Sequence, residues 1–186
     1  YIGLMNAALA GEDPVLVIEH VDLYQREGLV PEDLDYIIPL GRAKVVRTGS
    51  ALTVLTYSAM VHHAQAAVEA LGLDAEIIDL RTLDHATFDW ETVGASLRKT
   101  HNVLIVEQGA EGTSYGGRLA DKIQAAYFDW LDQPVQRVHG REASPTISKV
   151  LERAAFAGQS EIEAGLRRVM AAKGEPLDPV SQTGRQ

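Results

Sequence analysis

From Ala43 onward, short apolar runs alternate with amphipathic stretches, and this alternation limits the possible folds more than any other feature. Leu52–Ser58 (LTVLTYS), Ala75–Arg81 (AEIIDLR) and Asn102–Gln108 (NVLIVEQ) are continuous apolar runs of the kind found in strands buried on both faces. Between and after them lie helical patterns. Ala59–Gly72 carries Val61, Ala64, Val68 and Leu71 at helical spacing and ends on a glycine. Phe88–Thr100 has an aspartate near its start and two cations near its end, as the helix dipole favours. Tyr115–Leu131 and Ser160–Gly174 complete the set, the last with Ser160 and Glu163 spaced as a capping box. Ala43–Arg47 reads as an edge strand and Val135–Gly140 as a last short strand. Strand and helix in alternation predict a three-layer α/β/α fold with a mainly parallel sheet.

The first 39 residues follow another pattern. Tyr1–Pro14 has helical spacing ended by Gly11 and Pro14, so the chain is expected to begin inside a helix of a longer polypeptide. Val15–His20 (VLVIEH) reads as a buried strand, with Glu19 near its end. Residues 21–39 hold two prolines, scattered acids and no sustained period, which marks a linker. The domain reading is therefore 1–20, a linker at 21–39, an α/β domain over 40–173 and a flexible tail at 174–186.

Charge and composition narrow the function. A net charge of −9 gives no basic footprint for nucleic acid or an anionic membrane. No apolar run approaches the roughly 18 residues that span a bilayer. The chain has no cysteine, which removes disulfides, thiol nucleophiles and thiolate metal ligands and suits a cytoplasmic protein.

The most conspicuous motif is NVLIVEQGAEGTSYGGRLADKI, Asn102–Ile123, a strand, a glycine-rich turn and a helix. A dinucleotide loop needs G-x-G-x-x-G, and the glycines at 109, 112, 116 and 117 contain no such spacing. A P-loop needs G-x-x-x-x-G-K-[ST]. GTSYGGRL supplies Gly112 and Gly117, then sets Arg118 in place of the lysine and Leu119 in place of the magnesium-binding hydroxyl. Glu107 and Glu111 add negative charge beside any phosphate. The turn is therefore expected to serve close packing.

Other candidates are isolated. His62 and His63 are adjacent on a helix, point about 100° apart, and do not share a metal easily. His85, His101 and His139 stand alone near element ends. Asp79 sits at a strand's carboxyl end, where α/β sheets bind ligands, and either bonds a neighbouring backbone amide, the reading preferred, or serves as an acid. No nucleophile, base and oxyanion donor assemble.

Several phrases in fixed order carry a resemblance: GLMNAAL…DPVLVIEHVDLY, IPLGRAKVVRTGSALTVLTYSAMVHHA, AEIIDLRTL, VLIVEQG and PVQRVHG. Over Tyr1–Lys173 the chain resembles the C-terminal part of the beta subunit of 2-oxo acid dehydrogenase E1 components, of the pyruvate and branched-chain type. Transketolase and deoxyxylulose-phosphate synthase share the same terminal domain and form the alternative, alongside a non-catalytic scaffold domain. Residues 1–20 would then end the pyrimidine-binding domain and 40–173 would be the transketolase C-terminal domain.

The resemblance implies an enzyme that uses thiamine diphosphate and magnesium to decarboxylate a 2-oxo acid and pass the acyl group to lipoyl-E2. Its partners would be an E1 alpha subunit, a second beta subunit and the E2 peripheral subunit-binding domain. The family's cofactor glutamate and beta-subunit histidine have no counterpart in these residues, so the chain alone is expected to bind no thiamine diphosphate and to be inactive. A family potassium site would map to Ala8, Leu9, Gly11 and Asp13, where Gly11 stands for a common aspartate and Asp13 for a frequent asparagine. An inter-subunit surface would involve Glu107, Gln108 and Tyr115, with Glu107 and Gln108 facing it. Gln108 replaces the second glutamate of the usual V-E-E, RTLDHATFDW lacks the proline typical after RTL, and Glu142 stands for a common aspartate.

Overall fold

Five strands form one sheet in the order β1-β3-β2-β4-β5 in a computed structural model that describes residues 1–142, 147–175 and 177. The strands are β1 (Lys44–Arg47), β2 (Leu52–Thr56), β3 (Ala75–Asp79), β4 (Val103–Ala110) and β5 (Gln136–Gly140). The four from β2 to β5 run parallel, and β1 lies antiparallel on the edge beside β3. From central β2 the chain moves outward to β3, then returns to the other side of β2 for β4 and β5. The carboxyl ends of β2 and β4 therefore border the crossover point, where open α/β sheets form a crevice.

The period of two along each strand divides the core. Leu52, Val54, Leu104 and Val106 face one cluster, closed by α2 (Met60–Ala70) and α6 (Gln159–Ala172) through Ala64, Val68, Ile162, Leu166 and Val169. Leu55, Val103 and Ile105 face the other, closed by α3 (Trp90–Thr100) and α4 (Tyr115–Tyr127) through Val93, Leu97, Leu119 and Ile123. All five residues of β2 are buried, including Thr53. Its hydroxyl meets Ser96 Oγ at 2.6 Å and Thr100 Oγ1 at 2.7 Å, so the polar group joins β2 to α3.

The predicted helix signals at α3 are present. Asp89 caps it, accepting from Thr92 N at 3.1 Å, and Arg98 and Lys99 occupy the last turn. Burial pushes the Asp89 carboxyl up, but amide bonds from Thr92 and Ala43 outweigh it and leave it below the usual range.

Four expectations change. Val15–His20 is not a strand: no neighbour supplies a ladder, and Leu16 and Ile18 are 85% and 82% exposed. At α6 only half of a capping box forms, the Glu161 carboxylate accepting from Gly158 N at 2.8 Å, because glycine has no side chain to return the bond. Ser160 falls inside the first turn because the chain is already helical from Gln159, and Glu163 instead bonds Gln159. The α4 pattern stops at Tyr127 and tightens into a 3-10 turn at Phe128–Trp130. A seven-residue helix, α5 (Lys149–Ala155), was too short to show as a period. The tail at 174–186 lies outside the described residues except 174, 175 and 177.

At the amino end, α1 (Ile2–Ala10) packs on the following segment. Ile38 N donates to Gly3 O at 2.9 Å, and Asn6 Nδ2 donates to Leu34 O at 2.7 Å. No helix among the described residues is long and apolar enough to cross a membrane.

Candidate functional site

At the crossover point β4 delivers Glu107, which is fully buried although it is a carboxylate. Such a group costs several kcal/mol to bury unless its charge and lone pairs are matched. Here each oxygen has two donors. Oε1 accepts from Ser114 Oγ at 2.8 Å and Arg137 Nη2 at 3.0 Å. Oε2 accepts from Gly116 N at 2.8 Å and Tyr57 OH at 3.2 Å. One side chain in β4 thus ties together the residue after β2, the beginning of β5 and the start of α4.

This arrangement accounts for the glycine-rich turn. Gly116 is in the first turn of α4, where orphan amides attract an anion. That anion is the protein's own Glu107, and a Cβ at Gly116 would collide with Glu107 Oε1. At Gly109 a Cβ would lie 2.7 Å from Ser114 Cβ, so this glycine admits the serine that bonds the same carboxylate. The turn has the layout of a phosphate loop because it does hold an anion, one covalently supplied.

The electrostatics are consistent. Burial, followed by the Glu107 charge and hydrogen bond, raises the Tyr57 phenol well above its ordinary value, so Tyr57 remains a donor. Burial also raises Tyr115, opposed by the Arg118 charge. Arg137 is further held by Glu111 O and Ser114 Oγ, each at 3.0 Å. Ser114, Tyr57, Gly116 and Arg137 all direct donors at Glu107, with only the buried Arg137 Nε of this cluster left without a partner, which makes it a positioning node and not a reaction centre.

Of the predicted interface residues, Glu107 is corrected: with no exposed surface, it cannot face a subunit boundary. The strand's carboxyl end turns it into the α4 entrance, where four donors hold it. Gln108, the next residue, is half-buried, and its Oε1 lies 2.8 Å from His20 Nε2. Tyr115 is the first residue of α4, half-buried and stacked on His85 at 5.3 Å. Ala8, Leu9, Gly11 and Asp13 lie at the end of α1 and beyond it, with no hydrogen bond or ion pair to Glu107, Gln108 or Tyr115. Asp79 adopts the preferred reading, accepting from Arg81 N at 3.1 Å.

Sequence reading missed Tyr57, Ser114 and Arg137. Arg137 carried a signal, since a cation inside the short strand VQRVHG requires a buried or edge partner.

The sheet order, the antiparallel edge strand and the helix layers define the class. Residues 41–162 match the transketolase C-terminal domain family, and the chain belongs to it. Within that class its similarity is to one kind of subunit. It is 36% identical over 170 residues to pyruvate dehydrogenase E1 component subunit beta-3, chloroplastic, of Oryza sativa subsp. japonica, covering 90% of this chain and 43% of that subunit. It is 37% identical over 163 residues to pyruvate dehydrogenase E1 component subunit beta of Cyanidium caldarium, covering 86% and 49%. The corresponding subunit of Chlorokybus atmophyticus is 44% identical over 133 residues, covering 70% and 39%. These relatives bear out the motif-based resemblance, and the chain spans less than half their length. A solved structure titled split gene transketolase, inactive beta4 tetramer, aligns with a TM-score of 0.62 at 23% identity, covering 77% of this chain and 48% of that one. That likeness concerns the fold.

Proposed function

We propose that the chain is the C-terminal part of a 2-oxo acid dehydrogenase E1 beta subunit and serves subunit assembly and E2 docking. The observation that carries this reading is the 36% identity sustained over 90% of the chain to a pyruvate dehydrogenase beta subunit. The same kind of relative recurs at 37% and 44% identity, which favours this reading over a transketolase or deoxyxylulose-phosphate synthase. The parent enzyme would oxidatively decarboxylate a 2-oxo acid and transfer the acyl group to lipoyl-E2. Its assembly would include an E1 alpha subunit and a second beta subunit.

The residues present do not fit thiamine diphosphate. The α4 entrance is filled by Glu107, and no group of three His, Asp or Glu among the described residues could ligate magnesium. The diphosphate and the metal would be held elsewhere in the assembly. The chain by itself would then turn over no substrate, and calorimetry with thiamine diphosphate should show no micromolar binding. For potassium the donor type fits better, since oxygen ligands suit a hard cation. The proposed set remains Ala8, Leu9, Gly11 and Asp13.

For docking, a net charge of −9 complements the basic subunit-binding domain that the resemblance implies. Gln108 and Tyr115, neither fully buried, are the proposed interface residues at this corner. Titrating an E2 subunit-binding domain into the chain tests this. Saturable binding that weakens with salt is expected, and no binding at either low or high salt would remove the partner assignment.

A further inference from the structure

Beside the Glu107 node, but separate from its hydrogen bonds, a cavity of about 130 Å³ lies between α4 and the segment joining β3 to α3. Its inner wall is apolar. Phe88 and Leu119 are buried there, and Trp90 packs on Phe88 with ring centroids 4.5 Å apart. His85 and Tyr115 add a second aromatic wall, their rings nearly parallel at 13°. Its outer edge is cationic: Arg118 and Lys122 are exposed and four residues apart on α4, so they project from one face.

Neither cation has an ion pair or hydrogen bond among the described residues, although the chain carries 26 acids against 17 basic side chains. Asp84, a carboxylate near Tyr115, is already committed to its own turn. It accepts from Ala86 N at 3.2 Å, Thr87 N at 3.0 Å and Thr87 Oγ1 at 2.8 Å. Two free cations therefore stand at the mouth of an aromatic pocket in an otherwise acidic protein.

We propose that this cavity binds a small organic anion, a carboxylate or phosphate carried on a single flat ring. Size sets the ring, since an apolar cavity of about 150 Å³ accommodates benzene. The facing aromatic walls favour a flat body, through stacking and edge contacts. Arg118 supplies a planar fork of donors suited to carboxylate or phosphate, and Lys122 adds a point charge beside it. This site shares Tyr115 with the proposed interface corner and is separate from Glu107, whose oxygens are fully occupied.

Trp90 is a built-in reporter, because the chain has only one other tryptophan, Trp130. Benzoate and phenyl phosphate are titrated separately into the Trp130→Phe chain while Trp90 emission is followed. Benzyl alcohol supplies the ring without charge, and inorganic phosphate the charge without a ring. If Trp130→Phe does not fold, the Trp90 indole proton shift in the unsubstituted chain serves instead. At least one ring anion should give a saturable response, with both controls at least tenfold weaker. The double variant Arg118→Gln/Lys122→Gln, altered only at exposed positions, should weaken that ring anion at least tenfold. The single variant Lys122→Gln should weaken it several-fold and is the fallback if the double variant is unfolded. No saturable response to either ring anion up to about 20 mM, where binding stronger than about −2.3 kcal/mol would register, overturns the proposal. Equal binding by the charge variants or by either control also overturns it.

Discussion

Glu107→Gln is the most informative single change, because it keeps volume and removes charge. A glutamine oxygen can accept from two donors, but its amide nitrogen can accept from none. Two of the four present donors, drawn from Ser114, Arg137, Gly116 and Tyr57, would be left facing an N–H group. Each stranded buried donor costs about 1–3 kcal/mol, for a total of about 2–6. Breaking one side of a buried charge pair gives a similar figure, about 3–5 kcal/mol. The Arg137 side chain is 19% exposed, so water recovers little of this loss. At about 2–4 °C per kcal/mol for a chain of this size, Tm should fall by roughly 6–20 °C. Thermal and urea unfolding followed by circular dichroism would measure it, with Gln108→Ala as a neighbour expected to cost under about 1 kcal/mol. A Glu107→Gln protein within about 1 kcal/mol of the parent would refute the account of the node.

Gly116→Ala should destabilise by about 1–3 kcal/mol, since its Cβ collides with Glu107 Oε1, and nucleotide titration should show no binding before or after the change. Tyr57 has a raised folded pKa, so its contribution is full below its ordinary value of 10.0 and is lost as pH rises above that. Stability should therefore fall by up to about 1.4 kcal/mol per pH unit in that range, and Tyr57→Phe should flatten the slope. Asp89 has the opposite sign: its carboxyl is lowered, so its contribution holds above 3.8 and is lost as pH falls through the folded value. Asp89→Ala should cost about 0.5–2 kcal/mol and remove that acid-side dependence, as read by unfolding at pH 3 to 6 in steps of about one unit.

The fold was legible where side-chain period and burial agree. β2, β3 and β4 were continuous apolar runs because both faces of each meet a helix layer. Val15–His20 carried the same signal and is not a strand, because an apolar run specifies burial without naming the partner that completes a ladder. The site was half legible. Glu107 and the glycines at 109 and 116 stood out, and their spacing fits neither nucleotide motif. What could not be read was direction: whether Glu107 points outward or into the α4 entrance depends on β5, which brings Arg137 across 30 residues. Ser114 looked like loop composition, and its role appears only once Gly109 lets it approach.

The proposed function places this domain in an enzyme that decarboxylates a 2-oxo acid. The direct test is to express the polypeptide that carries these residues together with an E1 alpha subunit, supply thiamine diphosphate and magnesium, and measure substrate turnover. Release of carbon dioxide from a 2-oxo acid is expected, dependent on both chains, with acyl transfer to a lipoyl domain. Transfer of a two-carbon unit from a ketose phosphate, or no 2-oxo acid turnover by the assembled complex, would contradict it.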